Sequence, residues 1–200
     1  ELPPLKFGYS LWPGFFPMAI AQEKGFFQQQ GVNVQTVFSS SSKDLTPDLT
    51  SGKLDGMPLA LGSLINLLNG NPDLRVVATI DQSNGADAIV AQPGIRRIAD
   101  LKGKTVGVRF GGFGELFVDR MLAMNGLASN QIVLQNVDAR DVPQALRNQQ
   151  IQSGHTWEPF ISPLQRDRFQ VLFTSAQTPG LIPDVLIFQK RVLENRPDDV

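Results

Sequence analysis

Cysteine is absent from this chain, and histidine occurs once, at His155. Without cysteine there are no disulfides, no thiolate nucleophile and no thiolate metal site. With one imidazole, a multi-histidine zinc site is excluded too. The acidic residues are scattered, Asp198-Asp199 being the one adjacent pair, so the carboxylate cluster that a hard cation needs is missing. No cofactor is implied. A basic stripe is also lacking: the formal charge is −1, which argues against nucleic acid as a partner. No apolar run reaches the ~18 residues of a membrane-spanning helix. The chain opens Glu1-Leu2-Pro3-Pro4 with no basic-then-apolar leader, which reads as a trimmed mature end or a cut boundary.

Catalytic signatures are short of parts. Gly112-Phe-Gly114-Glu-Leu-Phe117 misses the third glycine of the dinucleotide fingerprint, and Gly103-Lys104-Thr105 has Ile98 where a P-loop needs its first glycine. There is no Gly-x-Ser-x-Gly elbow, and Ser153 lies only two residues from His155 along one strand. No catalytic machinery is assembled by these motifs, and an enzyme is not expected.

What the chain does have is 42% hydrophobic residues, enough for real cores, arranged as alternating strand-like and helix-like segments. Leu5–Ser10 reads as a strand, and Phe16, Ala19, Ile20 and Phe27 follow near helical spacing up to Gly31. Val32, Val34 and Thr36 alternate as a strand would, Leu45–Lys53 reads as a short helix, and Met57–Leu61 and Leu74–Ile80 as buried strands. The second half repeats this order, with strands near Asp87–Gln92, Lys104–Arg109, Ile132–Val137, Gln170–Thr174 and Asp184–Gln189. Its helices fall near Glu115–Met124 and Val142–Gln149. "LTSGKLDG" from Leu49 and "LRNQQIQSG" from Leu146 echo one another as a helix end, a turn and an apolar strand. The fold class is α/β, with two similar lobes of mainly parallel sheet flanked by helices. Lobe 1 is expected over 1–84 and lobe 2 over 85–200. Crossover strands are expected near 85–92 and 183–189, and a hinge near Asp81–Asp87.

In open α/β sheets ligands collect beyond the carboxyl ends of the strands. The tips in the first half are Trp12 to Phe16, then Gly62-Ser63, then Asp81-Gln82-Ser83. In the second half they are Phe110–Glu115 and His155–Glu158. The candidate ligand contacts are thus Trp12, Phe15, Gly62, Ser63, Gln82, Phe110, Gly112, Phe113, His155, Trp157 and Glu158. Each has a plain structural alternative. The tryptophans and phenylalanines equally suit core packing, and His155 equally suits a hydrogen-bonded structural role. Glu158, extended before Pro159, either accepts from a ligand amino group or pairs with an arginine. The glycines of "RFGGFGEL" either expose backbone N–H groups to a ligand or merely form a tight turn.

"YSLWPGFFPMAIAQEKGFFQQQGVNV", followed by "SGKLDG", "IADLKGKTVGV", the glycine tip and "SGHTWEPF", resembles the solute-binding proteins of nitrate, sulfonate, taurine and thiamine-precursor import. The resemblance implies the type II periplasmic-binding topology, a ligand cleft between the lobes that closes by hinge bending, and delivery of a small molecule to an ABC permease. It implies a periplasmic or extracellular, membrane-associated location. The same module also serves as the ectodomain of membrane sensors fused to kinase or cyclase domains. "GGFGEL" is closer to the thiamine-pyrimidine relatives than to the sulfonate binders, which often carry Ser/Thr there. Fungal thiamine-pyrimidine synthases share the implied fold, but their cysteine-rich iron motif has no counterpart here. Relatives continue with helices that return to the first lobe. A chain lacking them is expected to expose apolar surface and to be open to dimerisation.

Overall fold

The computed structural model describes residues 2–70 and 73–200. They form two compact units, one of residues up to Asp81 together with Pro183–Val200, the other Gln82–Ile182. The first begins β1 (Leu5–Ser10), α1 (Pro17–Glu23), α2 (Phe26–Gln29), β2 (Val34–Ser39) and α3 (Ser42–Thr50). It continues through β3 (Gly56–Ala60), α4 (Leu61–Leu68) and β4 (Leu74–Gln82). The second holds β5 (Asp87–Ala91), β6 (Thr105–Val108), α5 (Phe113–Met124), β7 (Val133–Asn136), α6 (Val142–Arg147), β8 (Ser153–Trp157), α7 (Ile161–Arg166) and β9 (Gln170–Thr174). The chain then returns to the first unit with β10 (Pro183–Gln189) and α8 (Lys190–Asn195).

Each unit is built on a five-stranded sheet, ordered β2-β1-β3-β10-β4 and β7-β6-β8-β5-β9. In the first, β1 is parallel to β2 and β3 while β10 is antiparallel to β3. In the second, β6 is parallel to β7 and β8 while β5 is antiparallel to β8 and β9. The α/β architecture of two similar lobes read from the sequence is therefore what the chain adopts. The strand that enters from the other unit takes the fourth place in each sheet and runs against its neighbour. A matching side-chain bond accompanies it. Gln189, ending β10, donates to the carbonyl of Leu49 in α3, and Gln92, just after β5, donates to that of Leu146 in α6. The same amides lie 3.5 Å from the Leu54 carbonyl and 3.4 Å from that of Ile151. These are the residues of the sequence echo.

The lobe assignment needs correction. The boundary expected at 84/85 falls at Asp81/Gln82, and residues 183–200, expected in lobe 2, belong to the first unit. Strand pairing is the cause: β10 lies between β3 and β4, where Val185 and Ile187 are buried with Leu49, Met57, Leu59 and Leu64. The opposite face of that sheet buries Leu5, Phe7 and Phe188 against Val192 of α8. In the second unit one face packs Ala88 and Val90 against Val142, Leu146, Ile161 and Leu164. Helix α3 starts three residues before the expected Leu45, because the Ser41 hydroxyl accepts from the Lys43 amide at 3.2 Å and caps it there.

Because the second unit is continuous in sequence and contains its whole sheet, residues 82–182 expressed alone should fold, with dispersed amide resonances and a cooperative melt. Residues 1–81 alone should not, since without β10 the buried β3 loses a neighbour. Circular dichroism and NMR of the two fragments check this. A folded 1–81 would show that β10 is dispensable.

Candidate functional site

The parallel trios fix where side chains can gather. In the second unit β6 and β8 run the same way, so the segments after Val108 and Trp157 emerge at one edge, and the antiparallel β5 brings its first residue, Asp87, to that edge. Asp87 stands opposite Trp157, and Ile89 opposite His155. These four side chains share one face, with Asp87 and His155 diagonal neighbours. Nε2 of His155 lies 2.9 Å from Oδ1 of Asp87, and each side chain is 2% exposed. The Asp87 amide donates to Ser83 Oγ at 3.1 Å, and the Ser83 and Ser175 hydroxyls are 2.8 Å apart. The head of β5 is thereby anchored to the end of β9.

Aromatic rings enclose the imidazole. Phe113 meets it edge-on at 5.4 Å, Phe117 at 5.4 Å and Trp157 at 5.9 Å, and Phe113 lies 6.2 Å from Trp157. Helix α5 can approach this closely because it carries glycine at 114: a Cβ there would fall 2.8 Å from His155 Nδ1. Phe113 and Trp157 are half-buried and form the accessible part of the cluster. The Trp157 indole N–H is buried without a hydrogen-bond partner, as is the Ser153 hydroxyl.

The remaining polar groups of this edge are largely engaged. The Phe110 amide donates to Asn136 Oδ1 at 3.1 Å and the Gly111 amide to Glu115 Oε2 at 2.6 Å. Two amides of the glycine tip are thus spent on the turn itself. Glu158 accepts from the Ser162 hydroxyl at 2.7 Å and from the Ser162 amide at 3.3 Å, so it holds the first turn of α7. Arg140 lies 3.0 Å from Asp138. Burial alone would raise the Asp138 pKa, but hydrogen bonds from the Arg140 side chain and backbone, with the charges of Arg140 and Arg109, bring it below its ordinary 3.8.

In the first unit β1 and β3 are parallel neighbours, so Trp12 and Gly62-Ser63 follow strand ends on one edge. Trp12 is half-buried, and its Nε1 donates to Asp81 Oδ2 at 3.2 Å. Gly62 and Ser63 occupy the first turn of α4, whose N-cap Ala60 supplies no side-chain bond. Phe15 is only 5% exposed and belongs to the core. Gln82 ends β4 exposed, while the neighbouring Asp81 is the residue that reaches Trp12. Phe110 is 43% exposed. The structure therefore gathers Phe113, His155 and Trp157, and separately Trp12 with Asp81. Sequence reasoning placed Asp81 at a strand tip and Asp81 and Asp87 at the bounds of a hinge, but named neither as a candidate contact. Among the described residues no three His, Asp or Glu side chains converge as metal ligands.

The family described as NMT1/THI5 like matches residues 12–200. A Brucella abortus protein named as a binding protein is 29% identical over 164 residues, 81% of this chain and 50% of that protein. The chain thus spans about half the length of the curated relatives it matches. The Saccharomyces cerevisiae 4-amino-5-hydroxymethyl-2-methylpyrimidine phosphate synthase THI11 is 28% identical over 117 residues, 58% of this chain and 34% of the enzyme. Among solved structures, the alkanesulfonate-binding protein SsuA from Xanthomonas axonopodis pv. citri, bound to MOPS, aligns with a TM-score of 0.84 at 21% identity. That alignment covers 97% of this chain and 68% of that one, a likeness of fold.

Replacing His155 with alanine strands the buried Asp87 carboxyl and opens a void among three rings, so it should cost about 3–5 kcal/mol. Urea denaturation measures it, and a loss under about 1 kcal/mol would contradict the pairing. For Asp138 the lowered folded pKa means that its stabilising effect is present above pH 3.8 and is lost as pH falls through the folded value. An NMR titration of its carboxyl carbon should therefore give a midpoint below 3.8, moving upward in Arg140→Ala.

Proposed function

We propose that this chain, which belongs to the NMT1/THI5 like family, is the ligand-binding part of an extracytoplasmic solute receptor that takes a flat, nitrogen-containing heterocycle and passes it to an ABC importer. The observation that carries the reading is the Phe113–Trp157 pair, stiffened from beneath by His155, with a buried indole N–H left without a partner. Such a wall stacks on a planar ring, and the free N–H suits an acceptor on it. The names of relatives support a binding role, in the Brucella protein, and a pyrimidine, in the yeast enzyme. An oxyanion such as the sulfonate of the SsuA ligand is less well served, since the Phe110 and Gly111 amides and Arg140 already have partners.

The yeast likeness makes a synthase the competing reading. Three features favour binding over chemistry. The chain has no cysteine, His155 is sealed under rings against Asp87, and Ser153 Oγ has no bond to it. Residues two apart on one strand stand roughly 6–7 Å apart, too far for a serine–histidine relay.

The test is native mass spectrometry of the purified chain, followed by thermal shifts with 4-amino-5-hydroxymethyl-2-methylpyrimidine, methanesulfonate and nitrate. The pyrimidine at a hundredfold excess over its Kd should add about 2.7 kcal/mol of stability, and Trp157→Ala should remove most of that gain. Stabilisation by the oxyanions and not by the pyrimidine would replace this reading with an oxyanion receptor.

A further inference from the structure

We infer that Asp81 is a specificity-determining residue of the first unit, whose Oδ1 accepts an N–H from an amino or ammonium group of the bound solute and whose charge repels oxyanions. The inference rests on the solute-binding reading and adds to it the chemical group that is read. Its starting point is a carboxyl group held by one oxygen only. Oδ2 accepts from the Trp12 indole at 3.2 Å, while Oδ1 is buried with no hydrogen-bond partner. Native proteins leave few buried acceptors unpaired, and those that remain call for a physical reason. A ligand N–H that completes the shell supplies one.

The surrounding chain is shaped around this carboxyl. Gly14, in the turn just after Trp12, packs so closely that a Cβ would land 1.6 Å from Asp81 Oδ2 and 2.8 Å from Trp12 Nε1. Any other residue there would displace both the carboxyl and the indole. The φ of Gly14 is not in the left-handed region, so the glycine answers a close approach and not a turn requirement. Trp12 precedes a short 3-10 turn, Pro13–Phe15, whose Phe15 is anchored in the core. Asp81 closes β4 on the other side. Two rigid elements thus converge on one fixed carboxyl oxygen and leave its twin open to hydrogen bonding. A group preorganised in this way costs little to bind and discriminates strongly against a ligand that lacks its donor. A purely structural carboxyl would be expected to have both oxygens engaged.

The experiment pairs ligand and protein deletions. Binding of 4-amino-5-hydroxymethyl-2-methylpyrimidine and of its 4-deamino analogue is measured calorimetrically on the wild-type chain, Asp81→Asn and Asp81→Ala, with melting curves confirming that each variant folds. The wild type should prefer the amino compound about tenfold or more, and the preference should collapse to within about threefold in both variants. If Asp81 only positions Trp12, both ligands weaken equally and the preference survives, which overturns the inference but leaves the solute-binding reading intact. If the wild type binds methanesulfonate or nitrate instead, the heterocycle reading fails. Asp81→Asn then decides the inference separately: tighter oxyanion binding sustains the repulsion argued here, and unchanged affinity overturns it.

Discussion

The antiparallel strand in the fourth place of each sheet is the constraint from which the rest of the architecture follows. A chain that leaves one unit and later returns must cross twice, and each crossing is absorbed as a strand of the unit it enters: β5 in the second, β10 in the first. Insertion next to the buried parallel trio forces that strand to be apolar, and both are. It also raises a local polar problem, because the helix before the third strand ends beneath it with carbonyls to satisfy. Gln92 and Gln189 meet that need identically, reaching Leu146 and Leu49. Two unrelated turns would not share such a bond, so the units are built as copies of one plan.

That same strand brings the site its histidine partner. Because β5 runs against β8, its first residue and not its last reaches the edge where β6 and β8 end. Asp87 arrives there in register with Trp157, and His155 is fixed beneath the rings as a consequence. Imidazole, Gly114 and the start of α5 are then mutually dependent: the glycine admits the ring, the ring supports Phe113, and Phe113 with Trp157 forms the surface left accessible. The histidine is held by packing and by its bond to Asp87.

Much of this was legible in the sequence. The alternation of strands and helices, the crossover near 183–189 and the echo between Leu49 and Leu146 all follow from apolar patterning and turn residues. Helices α7 and α8 were not legible, since Ile161–Arg166 and Lys190–Asn195 are single short turns whose start depends on neighbours such as Glu158. The assignment of 183–200 to the wrong lobe has a similar origin. Linear order suggests that a segment belongs with what precedes it, whereas pairing with β3 is a long-range fact. Aromatic type and tip position singled out Phe113, His155 and Trp157, which the fold brings together, and Trp12, which bonds Asp81. Phe15, named with them, is buried in the core, and at the end of β4 it is Asp81, next to Gln82, that bonds Trp12. Glu158 was expected to face a ligand or an arginine; its bonds to Ser162 at the start of α7 had no sequence signal.

Edges of this kind attract anions by default. They place helix N-termini and glycine turns beyond the strand ends, where free amides and helix dipoles favour negative charge. In this chain several such groups already have protein partners. Glu115 occupies the Gly111 amide, Asn136 occupies that of Phe110, Asp138 holds Arg140, and Asp81 stands at the tip of the first unit. A protein acceptor in such a place competes with a ligand oxygen for the same donor. In the second unit an aromatic face and one indole donor remain, and in the first, one carboxyl oxygen. The fold is shared with a sulfonate binder, so any choice among solutes on this fold has to be made by side chains such as these.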